Sequence, residues 1–193
     1  MGQYQVRTAV GADAAKTQYY FPMFFDWPVF KRHKREPATL KAIFVATSEG
    51  EPMRSVDATE AITNRGLKGD RYSEDRGHWK SIDGCQVTLI SESDLEQAKN
   101  RAAGKFQHSL ENGGHRRNLV IAALKTKSLE GKKFRIGDAV FGYHKLRPPC
   151  AYLDQISGDG LSRALGRHSG VCLRVVSGGK LNVGDTVEII DPT

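Results

Sequence analysis

The sequence predicts a mainly β domain, a closed or partly open β-barrel with a few short helices, on three observations. From residue 38 onward, apolar residues gather in runs too brief for long helices. Gly-centred turns separate those runs. The phrase Ile136-Gly137-Asp138-Ala139-Val140 also returns as Val183-Gly184-Asp185-Thr186-Val187. Each phrase reads as a tight reversal in which Gly supplies a positive φ and Asp bonds nearby backbone. Many short strands of this kind favour closure, because a closed sheet has no exposed edge to protect.

Seven strands are expected, at residues 40–47, 86–90, 118–122, 133–136, 139–146, 171–176 and 186–190. In the second, Cys85 shares parity with Val87 and Leu89, which predicts a buried structural thiol. In the sixth, Cys172 shares parity with Arg174 instead of with Val171, Leu173 and Val175, which leaves it free to lie near a site. Ser91 followed by Asp94, ahead of Leu95, Ala98 and Ala102, reads as a capped helix, and residues 161–165 as a second short one. After residue 146 comes Arg147-Pro148-Pro149-Cys150. Two prolines lock φ twice and remove two donors, so this segment ends its strand as a stiff strut and aims the Cys150 side chain.

Residues 1–37 read as an aromatic and basic extension, and residues 38–193 as the barrel domain. Seven of the chain's sixteen aromatics fall between Tyr19 and Phe30, and Lys31-Arg32-His33-Lys34-Arg35 follows. A membrane interface or a partner would suit that mixture. Pro22 and Pro28 deny it a continuous amphipathic helix, so docking on this chain or on a sister copy is the expectation, with a homo-oligomer left open. No apolar run is long enough to span a bilayer and no secretory leader is read, so a cytoplasmic protein is expected. The formal net charge of +7 favours an anionic ligand, yet no zinc finger, helix-turn-helix or ribonucleoprotein signature accompanies it, so nucleic acid is not expected. Cysteines stand only at 85, 150 and 172, without a Cys-x-x-Cys spacing, against both a disulfide framework and a tetrahedral zinc site.

Four pieces carry the chemistry: Gly66-Leu67-Lys68-Gly69-Asp70-Arg71-Tyr72, Arg116-Arg117-Asn118-Leu119-Val120, Arg147-Pro148-Pro149-Cys150 and Gly170-Val171-Cys172-Leu173-Arg174-Val175. Each sets a basic residue beside a turn or strand end. Arg116 and Arg117 adjoin, so in a strand at most one would enter a shared pocket. Asp70 and Asn118 carry a plain alternative, a turn cap and a strand-end hydrogen bond. Of the histidines at 78, 115, 144 and 168, His115 and His144 are the first to test as a base for Cys150, although no hydrolase signature supports that reading. Arg76, His78 and Trp79 are placed at the entrance of the site, since loops on a rigid scaffold often carry substrate contacts.

In their order and separations these pieces resemble the MOSC domain, the module named from the C-terminal region of molybdenum cofactor sulfurases. The resemblance runs over about residues 40 to 190 and includes Ser177-Gly178-Gly179 and Val183-Gly184-Asp185. It implies a barrel like that of pyruvate kinase, a pocket for a molybdenum-pterin cofactor, and Cys150 as the catalytic residue and metal ligand. Lys68, Asp70, Arg71, Arg117, Asn118, Arg147 and Arg174 are the candidate cofactor contacts. A thiolate is a soft ligand suited to molybdenum, and guanidinium groups bind phosphate in bidentate fashion.

Three functions follow from the resemblance and the residues. The first is a molybdenum-dependent oxidoreductase acting on N-hydroxylated or similar small compounds. It needs a separate electron donor, since no haem, iron–sulfur or flavin motif is present in the sequence. The second is a sulfur carrier holding a persulfide on Cys150, supplied by a separate sulfur donor protein. The third is a non-catalytic barrel that binds a partner. Pyridoxal phosphate is not expected, because in the sulfurases it belongs to a desulfurase domain with no counterpart among these residues.

Overall fold

A computed structural model describes residues 36–77 and 84–190. Among these, the strands are β1 Thr39–Val45, β2 Arg54–Val56, β3 Ala58–Ile62, β4 Gly66–Leu67, β5 Val87–Ser91, β6 Leu119–Ala122, β7 Lys133–Ile136, β8 Ala139–Leu146, β9 Val171–Ser177, β10 Gly179–Asn182 and β11 Val187–Ile190. The α-helices are α1 Glu92–Arg101, α2 Gln107–Glu111, α3 Ala151–Ser157 and α4 Leu161–Leu165. The mainly β architecture matches the expectation.

One sheet runs in the order β11-β7-β8-β9-β5-β6-β1-β2, and β10-β3-β4 forms a second. Apart from β5–β6, every pair of these strands is antiparallel. A parallel pair needs a long crossover, and α1 with α2 supply it between β5 and β6. The large sheet curls until its β1 and β11 sides meet. Thr39 and Thr186 form an isolated bridge, flanked by Leu40 N–H to the Asp185 carbonyl and Val187 N–H to the Ala38 carbonyl, both at 2.8 Å. The barrel is therefore partly open, joined at one seam by a single bridge.

Alternation along the strands sorts side chains into two cores. Leu89, Leu119, Ile121, Phe134, Phe141 and Leu173 fill the barrel interior. Phe44, Ile90 and Val120 face outward and are covered by Leu95 and Ala98 of α1, Leu110 of α2, Leu153 of α3 and Leu161 of α4. Cys150 packs at the edge of this second cluster, which sets the thiol between the helical layer and solvent.

The seven expected strands are all present, with ends shifted by up to two residues. Strands β2, β3, β4 and β10 were not expected: they are short, and β2 and β3 are largely exposed, so they carry no apolar run. Ser91 caps α1 as expected, its hydroxyl accepting from Asp94 N–H at 3.2 Å. The extension, except for Glu36 and Pro37, lies outside the described residues, as do His78 and Trp79. No helix among the described residues is long and apolar enough to cross a membrane.

Candidate functional site

Strand β8 ends at Leu146, Arg147 N–H then bonds the Gly170 carbonyl at 2.9 Å, and Pro148-Pro149 carry the chain to Cys150. Cys150 is half-buried and extended (φ −139°, ψ 152°), and α3 begins at the next residue. Its cleft is lined by Arg71, Tyr72, Arg116, Arg117 and Arg147, with Glu49, Tyr152, Leu153 and Ile156 completing the wall. Four guanidinium groups and one thiol thus share a space with a single carboxylate.

Behind the cleft, Asp70 is a buried junction. Its carboxylate accepts from Ala46 N–H (3.1 Å), Tyr72 N–H (3.1 Å), Asn118 Nδ2 (2.9 Å) and Arg71 Nη1 (3.0 Å). Asn118 extends the network, donating to the Phe44 carbonyl and exchanging bonds with Thr88. Neither side chain lines the cleft. They join β1, β5, β6 and the Gly66–Tyr72 turn, and so hold Arg71 in position, stacked 4.6 Å over the Tyr72 ring.

Arg116 and Arg117 both line the cleft, contrary to the expectation that at most one would. Strand alternation does not apply to them, because β6 begins only at Leu119 and Arg116 adopts a left-handed φ of 58°. Arg117 donates to the Ser169 carbonyl (2.6 Å), Ser169 Oγ (2.6 Å) and the His115 carbonyl (2.9 Å). Arg116 donates to the Glu51 carbonyl. These acceptors are all neutral, so the two buried charges gain hydrogen bonds without charge compensation from them. Burial, with Arg147 adding, pushes the Arg117 guanidinium down to about 10, and burial lowers Arg116 as well.

Arg147 gathers the thiols. Burial works against its charge, but Tyr72, Cys172, Cys85 and Cys150 together hold it above the ordinary value. Cys85 is buried as expected, its Sγ lies 3.6 Å from the Val87 carbonyl, and neighbouring Cys172 together with burial pushes its thiol well up. Gly170 lets the start of β9 approach β5 closely: it takes φ +95°, and a Cβ there would strike the Leu89 carbonyl.

Lys68 and Arg174 are not brought to Cys150. Lys68 is 68% exposed and pairs with Glu60 at 3.3 Å, and Arg174 is exposed beside Gly84 and His144. No histidine lines the cleft among the described residues. His115 is enclosed, its Nδ1 accepting from Arg117 N–H at 2.9 Å, His144 lies near Arg174, and His168 faces Asp94 at 3.6 Å. Arg76 reaches the rim through its backbone, its carbonyl accepting from Glu49 N–H at 3.1 Å. Sequence reading admitted at most one of Arg116 and Arg117 and missed Glu49 and Tyr152 as site residues. Of these two, only Tyr152 carried a signal, as the first polar residue beyond Cys150.

The model of the MOSC domain matches residues 75–188, more than half of the chain. This chain belongs to the MOSC domain family. Among solved structures, the YUAD protein from Bacillus subtilis has a TM-score of 0.65 at 16% identity, covering 81% of this chain and 97% of that one. YiiM from Geobacillus stearothermophilus gives 0.59 at 16% identity over 80% and 76%, and YiiM from Escherichia coli gives 0.54 at 19% over 81% and 70%. At these identities the likeness is one of fold. No curated protein matches the chain.

The MOSC family is associated with molybdenum cofactor binding. The residues present here fit such a group: a soft sulfur donor at the cleft, and beside it guanidinium groups whose partners at Arg116 and Arg117 are neutral.

His115 gives this MOSC domain a pH signature. Burial, with the Arg117 charge adding, pushes its imidazole down to about 3 from 6.5. The folded domain keeps His115 neutral, whereas the unfolded chain takes up a proton as the pH drops below its ordinary value. The stability from this group is complete above that value and is lost as the pH falls toward 3. Urea unfolding from neutral to acid pH is expected to show a slope from His115 of about 1.4 kcal/mol per pH unit in this window. The slope should be smaller in His115→Asn, and equal slopes would contradict the assignment.

Proposed function

We propose that this protein binds a molybdenum-pterin cofactor in the cleft, with Cys150 as the metal ligand, and acts as an oxidoreductase on N-hydroxylated or similar small compounds. The carrying observation is that Arg116 and Arg117, buried with neutral acceptors, meet the half-buried Cys150 thiol in one cleft. Arg116, Arg117 and Arg147 would hold the phosphate of the pterin, and Arg71 on Tyr72 the edge of the ring system. When bound, the cofactor supplies the electron and oxygen-atom exchange. Leu153 and Ile156 keep one wall apolar and limit water. Tyr152, hydrogen-bonded to Glu49, keeps its proton more tightly because of burial and the Glu49 charge, so it stands at the rim as a neutral phenol. A separate electron carrier completes the cycle.

The test is expression in a host that makes the molybdenum cofactor and in one that cannot, with metal and pterin measured on the purified protein. Both are expected only from the competent host, and their absence there would overturn the reading. Lys68→Ala and Arg174→Ala are expected to leave the loading unchanged, because neither residue lines the cleft. Arg116→Ala should lower it about tenfold, the loss of one charged hydrogen bond. The three thiols about Arg147 favour one second reading, a sulfur carrier, which would hold sulfane sulfur on Cys150 without bound molybdenum.

A further inference from the structure

Among the described residues, His115 Nε2 alone is a buried side-chain nitrogen or oxygen without a hydrogen-bond partner in the protein. The residue is 0% exposed. Its Nδ1 accepts the Arg117 N–H at 2.9 Å, so in the neutral ring the proton sits on Nε2. Unmet buried donors are rare, because each forfeits the hydration it had in the unfolded chain. The ring stands edge-on to Phe44, with centroids 5.3 Å apart and planes at 84°, and Phe44 packs with Met53 in the core beneath the helices. A phenylalanine would suit those surroundings and orphan no ring N–H. What a histidine adds there is the acceptor at Nδ1.

That acceptor closes a turn. A side chain bonded to the N–H two residues on is the arrangement Asn and Asp make in an Asx turn, and here it encloses Arg116. Arg116 has a φ of 58°, uncommon for a residue other than glycine, and its own N–H donates to the Gly113 carbonyl at 2.8 Å. The His115 carbonyl accepts from Arg117 Nη1 at 2.9 Å. His115 therefore grips Arg117 at backbone and guanidinium and holds the turn around Arg116. Both arginines line the Cys150 cleft, whereas His115 does not.

We propose that His115 is a positioning residue that sets Arg116 and Arg117 together in the Cys150 cleft, and so governs how tightly the cleft holds the phosphate group of a ligand that His115 never touches. This role rests on the anion-binding reading of that cleft. Without the acceptor, the buried Arg117 N–H loses its partner and Arg116 is released toward an ordinary negative φ, which turns its side chain away from Arg117. The ring acts as a neutral acceptor, since burial and the Arg117 charge push its imidazole down to about 3.

The experiment titrates inorganic phosphate by calorimetry into full-length, cofactor-free wild type, His115→Phe, His115→Leu and His115→Asn, and measures the urea midpoint of each. Asn sets its side-chain oxygen at the level of Nδ1 and can remake the turn. Packing and positioning rank the variants in opposite orders: space filled beside Phe44 puts Phe first, and the acceptor puts Asn first. Phosphate binding is expected to weaken about tenfold in His115→Phe, the loss of one charged hydrogen bond, and to stay close to wild type in His115→Asn. His115→Leu repeats the comparison with no ring to place. Amide exchange at Arg117, followed by NMR, should be fast in Phe and Leu and slow in Asn. Phosphate held equally by all four proteins, or weakened equally in Asn and Phe, would overturn the role of His115. No phosphate bound by wild type would instead overturn the anion-binding reading of the cleft, and the role of His115 with it.

Discussion

Cys150→Ala is expected to lower the molybdenum bound per chain by at least about tenfold, because loss of the metal-binding atom exceeds the effect of losing an outer partner. Pterin should fall less than metal, since Arg116, Arg117 and Arg147 remain in place. That ratio separates lost ligation from lost folding, which would remove both together. Cys150 caps no helix through its side chain and sits only at the edge of the helical core, so the substitution should change the unfolding midpoint little. Metal equal to wild type in Cys150→Ala would remove Cys150 as the ligand.

Asp70→Ala is expected to cost about 3–5 kcal/mol, the range for removing one partner of a buried ion pair. Four donors lose their acceptor at once: Ala46 N–H, Tyr72 N–H, Asn118 Nδ2 and the Arg71 guanidinium. The network ties β1 to β6, so the loss should appear as a lower urea midpoint with an unchanged slope. Asp70→Asn keeps an acceptor oxygen and should lose less. Arg71 is held by this carboxylate, so cofactor loading should fall in both variants, and a stable Asp70→Ala protein would show that the junction matters less than its bonds imply.

Much of the fold was legible because its signals are local. The Gly137-Asp138 turn between β7 and β8 and the Ser91 cap of α1 each need only a few neighbouring residues, and both appear where the sequence placed them. The candidate site was only partly legible. Asp70 and Asn118 carry the polar character of cofactor contacts, yet their partners come from β1 and β5, dozens of residues away, and make them a buried junction. Lys68 has the right charge and a nearby glycine, but the turn after β4 places it beside Glu60. Strand alternation admitted at most one of Arg116 and Arg117, and a positive φ before the strand brings Arg116 in beside Arg117.

By itself the sequence determined a β-rich domain in the MOSC family, a thiol carried on the rigid Pro148-Pro149 strut, and a surplus of basic residues near turn ends. Only the tertiary structure decided which guanidinium groups meet Cys150 and that Asp70 and Asn118 become a buried junction behind its cleft. Turns, caps and strand runs depend on neighbours in the chain, whereas the meeting of side chains depends on register between strands far apart in sequence and on a few backbone angles that composition does not reveal.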